Sequence, residues 1–169
     1  MPEAPTSAGS SADPGADQIA EISRRFFGAI PWVTELGMEL TYMHGGVAAM
    51  RVPYDARLVG DPATGVVHGG ILTGLLDTTS GAAVMCHPSA PGETATIDLR
   101  IDYMRPARPG EAIQARAECY RTTRTVAFVR AVAYEDDPDD PVATAAGAFV
   151  VQSRPEVGSL AARIAGEGA

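Results

Sequence analysis

Apolar and polar residues alternate along the second half of the chain. From Thr94 to Tyr103 the odd positions are apolar (Ala95, Ile97, Leu99, Ile101) and the even positions polar (Thr96, Asp98, Arg100, Asp102). Ile113, Ala115, Ala117 and Cys119 then alternate with Gln114, Arg116, Glu118 and Tyr120. A period of two is that of an antiparallel strand with one buried face. Residues 125–134 and 142–152 are expected as two further strands, joined by the acidic turn 135–141. The first half has other periods. Ile19, Ile22 and Phe26 share a helical face within residues 17–29, and Pro31 is expected to end that helix. Residues 32–52 read as two strands turning at His44-Gly45-Gly46, where Gly-Gly supplies the positive φ angles of a tight hairpin. Residues 53–65 read as a loop. From about Gly70 to Cys86 runs a helix that is apolar almost all round, which implies burial on every side. One curved antiparallel sheet wrapped around that helix meets the requirement and defines an α+β architecture.

The expected organisation is a disordered tail over 1–15, rich in Pro, Ala, Ser and Gly, one domain over 16–152, and a C-terminal tail over 153–169 with a short helix after Pro155. A chain of 169 residues suffices for a real core. Its net charge of −8 disfavours nucleic acid and anionic membranes. All thirteen basic residues are arginine, so Schiff-base chemistry, covalent pyridoxal phosphate and the lysine phosphate loop have no residue to use. Cys86 and Cys119 lack metal spacing and leave one disulfide open. With no signal-like N-terminus and no uninterrupted apolar span, a cytoplasmic protein is expected.

Candidate chemistry concentrates in residues 66–85. His68-Gly69-Gly70 opens the apolar helix, and Asp77 is the sole Asp, Glu or Arg between Val66 and Gly92. The first amides of a helix lack internal partners and carry partial positive charge. At glycines a ligand approaches them closely, so they suit a carbonyl oxygen that becomes an oxyanion. A carboxylate in apolar surroundings tends toward a raised pKa and suits a general base for water. Yet seven residues correspond to roughly 10 Å of rise. Asp77 is too far along its own helix to reach a carbonyl at Gly70. A shared substrate therefore requires two antiparallel helices, hence a homodimer with two symmetric sites. The plain alternatives are that Asp77 is a hydrogen-bonded structural group, that Gly-Gly is turn chemistry and that His68 is packed. The first His-Gly-Gly reads as a hairpin. Cys86-His87 sits at a helix C-terminus, where the dipole disfavours a thiolate, and reads as structural. No serine elbow, zinc motif or dinucleotide fingerprint is present, and neither metal nor cofactor is expected.

These residues match a family. HGGILTGLLDTTSGAAV resembles the hotdog-fold acyl-CoA thioesterases of the PaaI-like type. The segment TATIDLRIDYMRPARPGE is similar to that family's strand after the helix. The similarity covers about residues 30–152. It implies that Gly70, with Gly69, supplies oxyanion amides, that His68 orients the site and that Asp77 of the partner subunit is base or nucleophile. It further implies that Thr96 supplies a hydroxyl holding the attacking water. Many relatives carry Asn six residues before the histidine; in this chain Pro62 stands there, so either Asp61 beside it takes part of that role, or the water is held differently, or activity is low. Coenzyme A enters as part of the substrate, and Arg100, Arg121 and Arg124 are candidate contacts for its phosphates. Arg105 is also expected near Thr96. The implied partners are acyl-CoA and a second copy of the chain, with a dimer of dimers as a further assembly. A non-catalytic acyl-CoA binder or sensor is the alternative reading. An enoyl-CoA hydratase fits the His and Asp spacing poorly.

Overall fold

The computed structural model describes residues 15–89 and 93–151. Of the expected tail over 1–15 all but Gly15, and the whole of the expected tail over 153–169 with its helix after Pro155, lie outside the described residues.

Helix α1 (Ala16–Ile22) runs into a π-helical turn (Ser23–Phe27) closed by the Gly28 N–H on the Ser23 carbonyl at 2.8 Å. Pro31 does not merely stop this segment. It occupies the first turn of a second short helix, α2 (Pro31–Glu35), where its missing N–H costs nothing. The expectation of strand from Trp32 is thereby corrected. Val33 and Leu36 bury one side of α2, and strand begins only at β1 (Glu39–His44). The hairpin to β2 (Val47–Val52) turns as expected, with φ of +59° at Gly45 and +85° at Gly46. The presumed loop holds structure: a 3-10 turn (Ala56–Leu58) and a small ribbon of β3 (Val59–Asp61) against β4 (Val66–Val67). Both are too short to show a period.

Helix α3 spans Gly69–Met85. Four long strands follow: β5 (Thr94–Tyr103), β6 (Ile113–Thr122), β7 (Val126–Tyr134) and β8 (Ala143–Val151). They join the hairpin in one antiparallel sheet of order β1-β2-β6-β7-β8-β5. The face toward α3 is alanine-rich. Ala115, Ala117, Ala131, Ala133, Ala143 and Ala145 are all buried on it, and such small side chains let the helix lie close. Leu75 and Leu76 are fully buried in the space so formed, each contributing roughly 1.5–3 kcal/mol.

Two expectations fail for related reasons. Alternation in β5 breaks at a bulge between Thr96 and Asp98. Thr96 pairs with buried Phe149 and faces inward, Ile97 is the extra residue and is 54% exposed, and Leu99 and Ile101 resume the inner face. Ala95 and Ile97 therefore do not face the core. Nor is α3 covered on every side. Gly70 and Thr73 are exposed, and Gly74, Asp77, Thr78 and Gly81 only partly buried, so one stripe of small and polar residues stays open.

Candidate active site

The stripe begins at the N-cap of α3. His68 holds extended backbone there (φ −65°, ψ 136°), and its Nδ1 accepts the Gly70 N–H at 2.9 Å. The His68 N–H donates to the Leu58 carbonyl at 2.8 Å. The backbone of β3 passes so close that a Cβ on Gly60 would lie 2.8 Å from His68 Cα. The Gly70 amide expected to meet a substrate carbonyl is thus paired within the chain, by an exposed imidazole.

Tyr103, at the end of β5, spans the same helix start. Its hydroxyl lies 2.8 Å from Thr73 Oγ1 and donates to the Gly69 carbonyl at 3.2 Å. Its ring covers Gly69, where a Cβ would come within 3.4 Å. Two turns further on, Thr96 Oγ1 donates to Asp77 Oδ1 at 2.8 Å. Strand β5 therefore walls one side of the stripe along its length. On the other side, the Trp32 indole lies over Gly74.

The remaining expected residues do not converge on Asp77. Asp61 accepts the Ala63 N–H at 3.0 Å and the Thr64 hydroxyl at 2.8 Å, and the Thr64 hydrogen bond holds its carboxyl below the usual range. Its carboxylate closes its own turn. Arg100 pairs with Asp102 on the same strand at 2.9 Å. Arg121 and Arg124 are exposed at the turn between β6 and β7. The expectation that Arg105 lies by Thr96 is corrected. It is locked to Glu135 at 2.6 Å and to Asp140 at 3.1 Å.

The first His-Gly-Gly is structural, as expected. The Gly46 N–H donates to the Cys86 carbonyl at 3.2 Å, and the Gly46 carbonyl accepts the Cys119 N–H at 2.7 Å. Cys86 and Cys119 are free thiols, and burial pushes both up. The Cys86 thiol faces the Val47 and Ala83 carbonyls at 3.4 Å, and His87 Nδ1 accepts the Ser89 N–H at 3.1 Å, so each of the two has its own local partner. A cavity of about 640 Å³ between α1 and β1, lined in part by Ile19, Met38 and Leu40, contains none of the stripe residues. Among the described residues no three His, Cys, Asp or Glu side chains cluster as metal ligands, and no helix is long and apolar enough to cross a membrane. Two groups at the stripe, Tyr103 and Trp32, are not among the expected site residues. Tyr103 lay within the segment carrying the family resemblance; nothing in the periodicity marked Trp32.

Residues 64–142 match the Thioesterase superfamily. A candidate esterase of Halobacterium salinarum is 32% identical over 78% of this chain and 90% of its own length. The medium/long-chain acyl-CoA thioesterase YigI of Escherichia coli is 28% identical over 69% of this chain and 83% of its own. A solved Pseudomonas aeruginosa structure is 41% identical, covers 79% of this chain and 99% of its own, and superposes with a TM-score of 0.70. A variant of the phenylacetic acid degradation protein PaaI from Thermus thermophilus is 25% identical, covering 72% and 99% of the two chains, at a TM-score of 0.64. The chain belongs to the thioesterase superfamily: it is a PaaI-like thioester hydrolase of hotdog fold.

Proposed function

We propose that the protein hydrolyses acyl-CoA thioesters at two equivalent sites, each shared between two copies of the chain. The observation that carries this is the 2.8 Å hydrogen bond from Thr96 to Asp77 on the one stripe of α3 that the sheet leaves open. In this reading Asp77 takes a proton from a water that attacks the thioester carbon, and Thr96 helps hold that water. The carbonyl oxygen becomes an oxyanion against the Gly70 N–H of the second copy, displacing the exposed His68 ring from that donor. Collapse breaks the C–S bond, and the coenzyme A thiolate leaves and takes up a proton. Attack by Asp77 itself, through a transient anhydride, is the other route from the same geometry. Gly69 provides the neighbouring amide. Arg100, Arg121 and Arg124 remain candidates for the phosphates.

The shared arrangement has support in the sheet. Strand β5 is its last strand, and Ile97, Tyr103 and Met104 at that end of the molecule are exposed. A second copy paired along β5 would cover them and lay two open stripes side by side. YigI supplies the substrate class by name.

One observation favours a non-catalytic acyl-CoA binder. Pro62 has no side-chain amide to offer, and Asp61 is committed to its own turn. Thiol release from an acyl-CoA panel decides between the two. Turnover lost in Asp77→Ala supports hydrolysis, and binding without turnover by the unaltered protein supports the binder.

A further inference from the structure

Resting on that reading, we infer that Trp32 forms the apolar wall of the acyl site and sets preference by acyl size. The stripe from Gly70 to Asp77 has two flanks. On the β5 side the Tyr103 ring lies over Gly69 at the helix start, its hydroxyl is tied to Thr73 and Gly69, and further along the Thr96 hydroxyl meets Asp77. On the other side stands the indole of Trp32. A Cβ on Gly74 would come within 2.8 Å of its Nε1 and 3.3 Å of Cε2, so the ring rests directly on the helix backbone. Gly74 lies midway between the Gly70 amide and the Asp77 carboxylate, and its missing side chain is what admits the ring.

Trp32 is 52% exposed, although helix α2 is firmly held. Val33 and Leu36 anchor its opposite side in the core. Gly37, at φ +63°, ends it with the Met38 N–H on the Val33 carbonyl at 2.9 Å. A rigidly mounted, half-exposed aromatic residue over Gly74, one helical turn before Asp77, has apolar area to offer a ligand. Coenzyme A is polar along its pantetheine amides and phosphates, so the part of the substrate that this surface suits is the acyl group. Each methylene laid against it adds about 0.8 kcal/mol, close to fourfold in affinity.

Trp32 is the sole tryptophan of the chain, so its emission reports its own surroundings. The test uses the full chain with octyl-CoA, a thioether that cannot be hydrolysed, and with coenzyme A alone. Octyl-CoA is expected to shift the emission of Trp32 to the blue, and coenzyme A is not. Trp32→Ala is expected to lower the ratio of octanoyl-CoA to acetyl-CoA kcat/KM about tenfold or more. Trp32→Phe restores part of that ratio. Gly74→Ala, which pushes the indole off the helix, lowers it as Trp32→Ala does. Unchanged emission at calorimetrically saturating octyl-CoA, or an unchanged ratio in Trp32→Ala, overturns the inference and leaves hydrolysis standing. An emission shift without turnover of any thioester overturns hydrolysis and leaves the wall standing. No binding of octyl-CoA overturns both.

Discussion

Thr96 Oγ1 reaches Asp77 Oδ1 at 2.8 Å because the chain bulges immediately after Thr96. Without the extra residue Ile97, the inward face of β5 could not hold both Thr96 and the pair Leu99 and Ile101. The hydroxyl at the candidate site is thus set by a break in the strand's period. Its two partners should differ in effect. Asp77→Ala is expected to reduce acyl-CoA turnover at least about a hundredfold, as befits a lost base or nucleophile. Thr96→Val should cost roughly tenfold and Thr96→Ser little, all with unchanged melting temperature. Steady-state thiol release checks all three, and full activity in Asp77→Ala would remove that residue from the reaction.

The bulge has a support in the neighbouring strand. A Cβ on Gly147 would meet the Asp98 carbonyl oxygen at 2.7 Å and Leu99 Cδ1 at 2.9 Å. Gly147→Ala must therefore move β5 at the bulge. A loss of about 1–3 kcal/mol in urea unfolding is expected, together with lower turnover as Thr96 shifts from Asp77. Unaltered stability would mean that the bulge adjusts freely.

Much of this was legible in the residues, and the exceptions have particular causes. The hairpin at Gly45-Gly46 and the long helix ending near Cys86 follow from local chemistry, namely positive φ in one case and a sustained apolar run in the other. The exposure of Ile97 does not, because its bulge is a matter of register with β8, a strand distant from β5 in sequence. Helix α2 escaped because so short a segment shows no period, and because Pro31 serves equally to end one helix and to start another. Asp77 stood out as a lone carboxylate. Its partner Thr96 came only with the family resemblance, since alternation placed that side chain outside.

Arg105, just past the C-terminal end of β5, and Glu135, just past that of β7, form an ion pair at 2.6 Å. The Glu135 side chain is 1% exposed. Burial alone would raise its carboxyl; the Arg105 guanidinium and the Arg108 N–H outweigh that and hold it below the usual range. A depressed carboxylate stabilises the fold above its unfolded value, and that contribution is lost as pH falls through the folded value. Melting temperature should therefore hold from pH 7 to about 5 and drop below about 4.5. Glu135→Gln should be less stable by about 2–3 kcal/mol at pH 7, since a partly exposed Arg105 is left behind, and its stability should fall less in acid. An acid limb as steep in the variant as in the original protein would contradict the assignment.

Ile97 sits at the free end of the sheet, more than half exposed within one chain. Ile97→Asp should leave the fold intact, by circular dichroism, while shifting the mass in light scattering from dimer toward monomer. Turnover should fall with the dimer fraction. A variant that stays dimeric and active would place the contact between copies elsewhere.

The shared site is tested most directly by mixing two inactive proteins, Asp77→Ala and Gly70→Val, and letting subunits exchange. In a mixed dimer the first chain keeps an unobstructed Gly70 amide, which the valine side chain shields from substrate in the other, and the second keeps its Asp77 carboxylate. If each site takes one from each copy, one site per mixed dimer is whole. Equimolar mixing should then restore about a quarter of the original activity. No recovery, with exchange verified by mass, would mean that both groups act from a single chain and would contradict a site shared between copies.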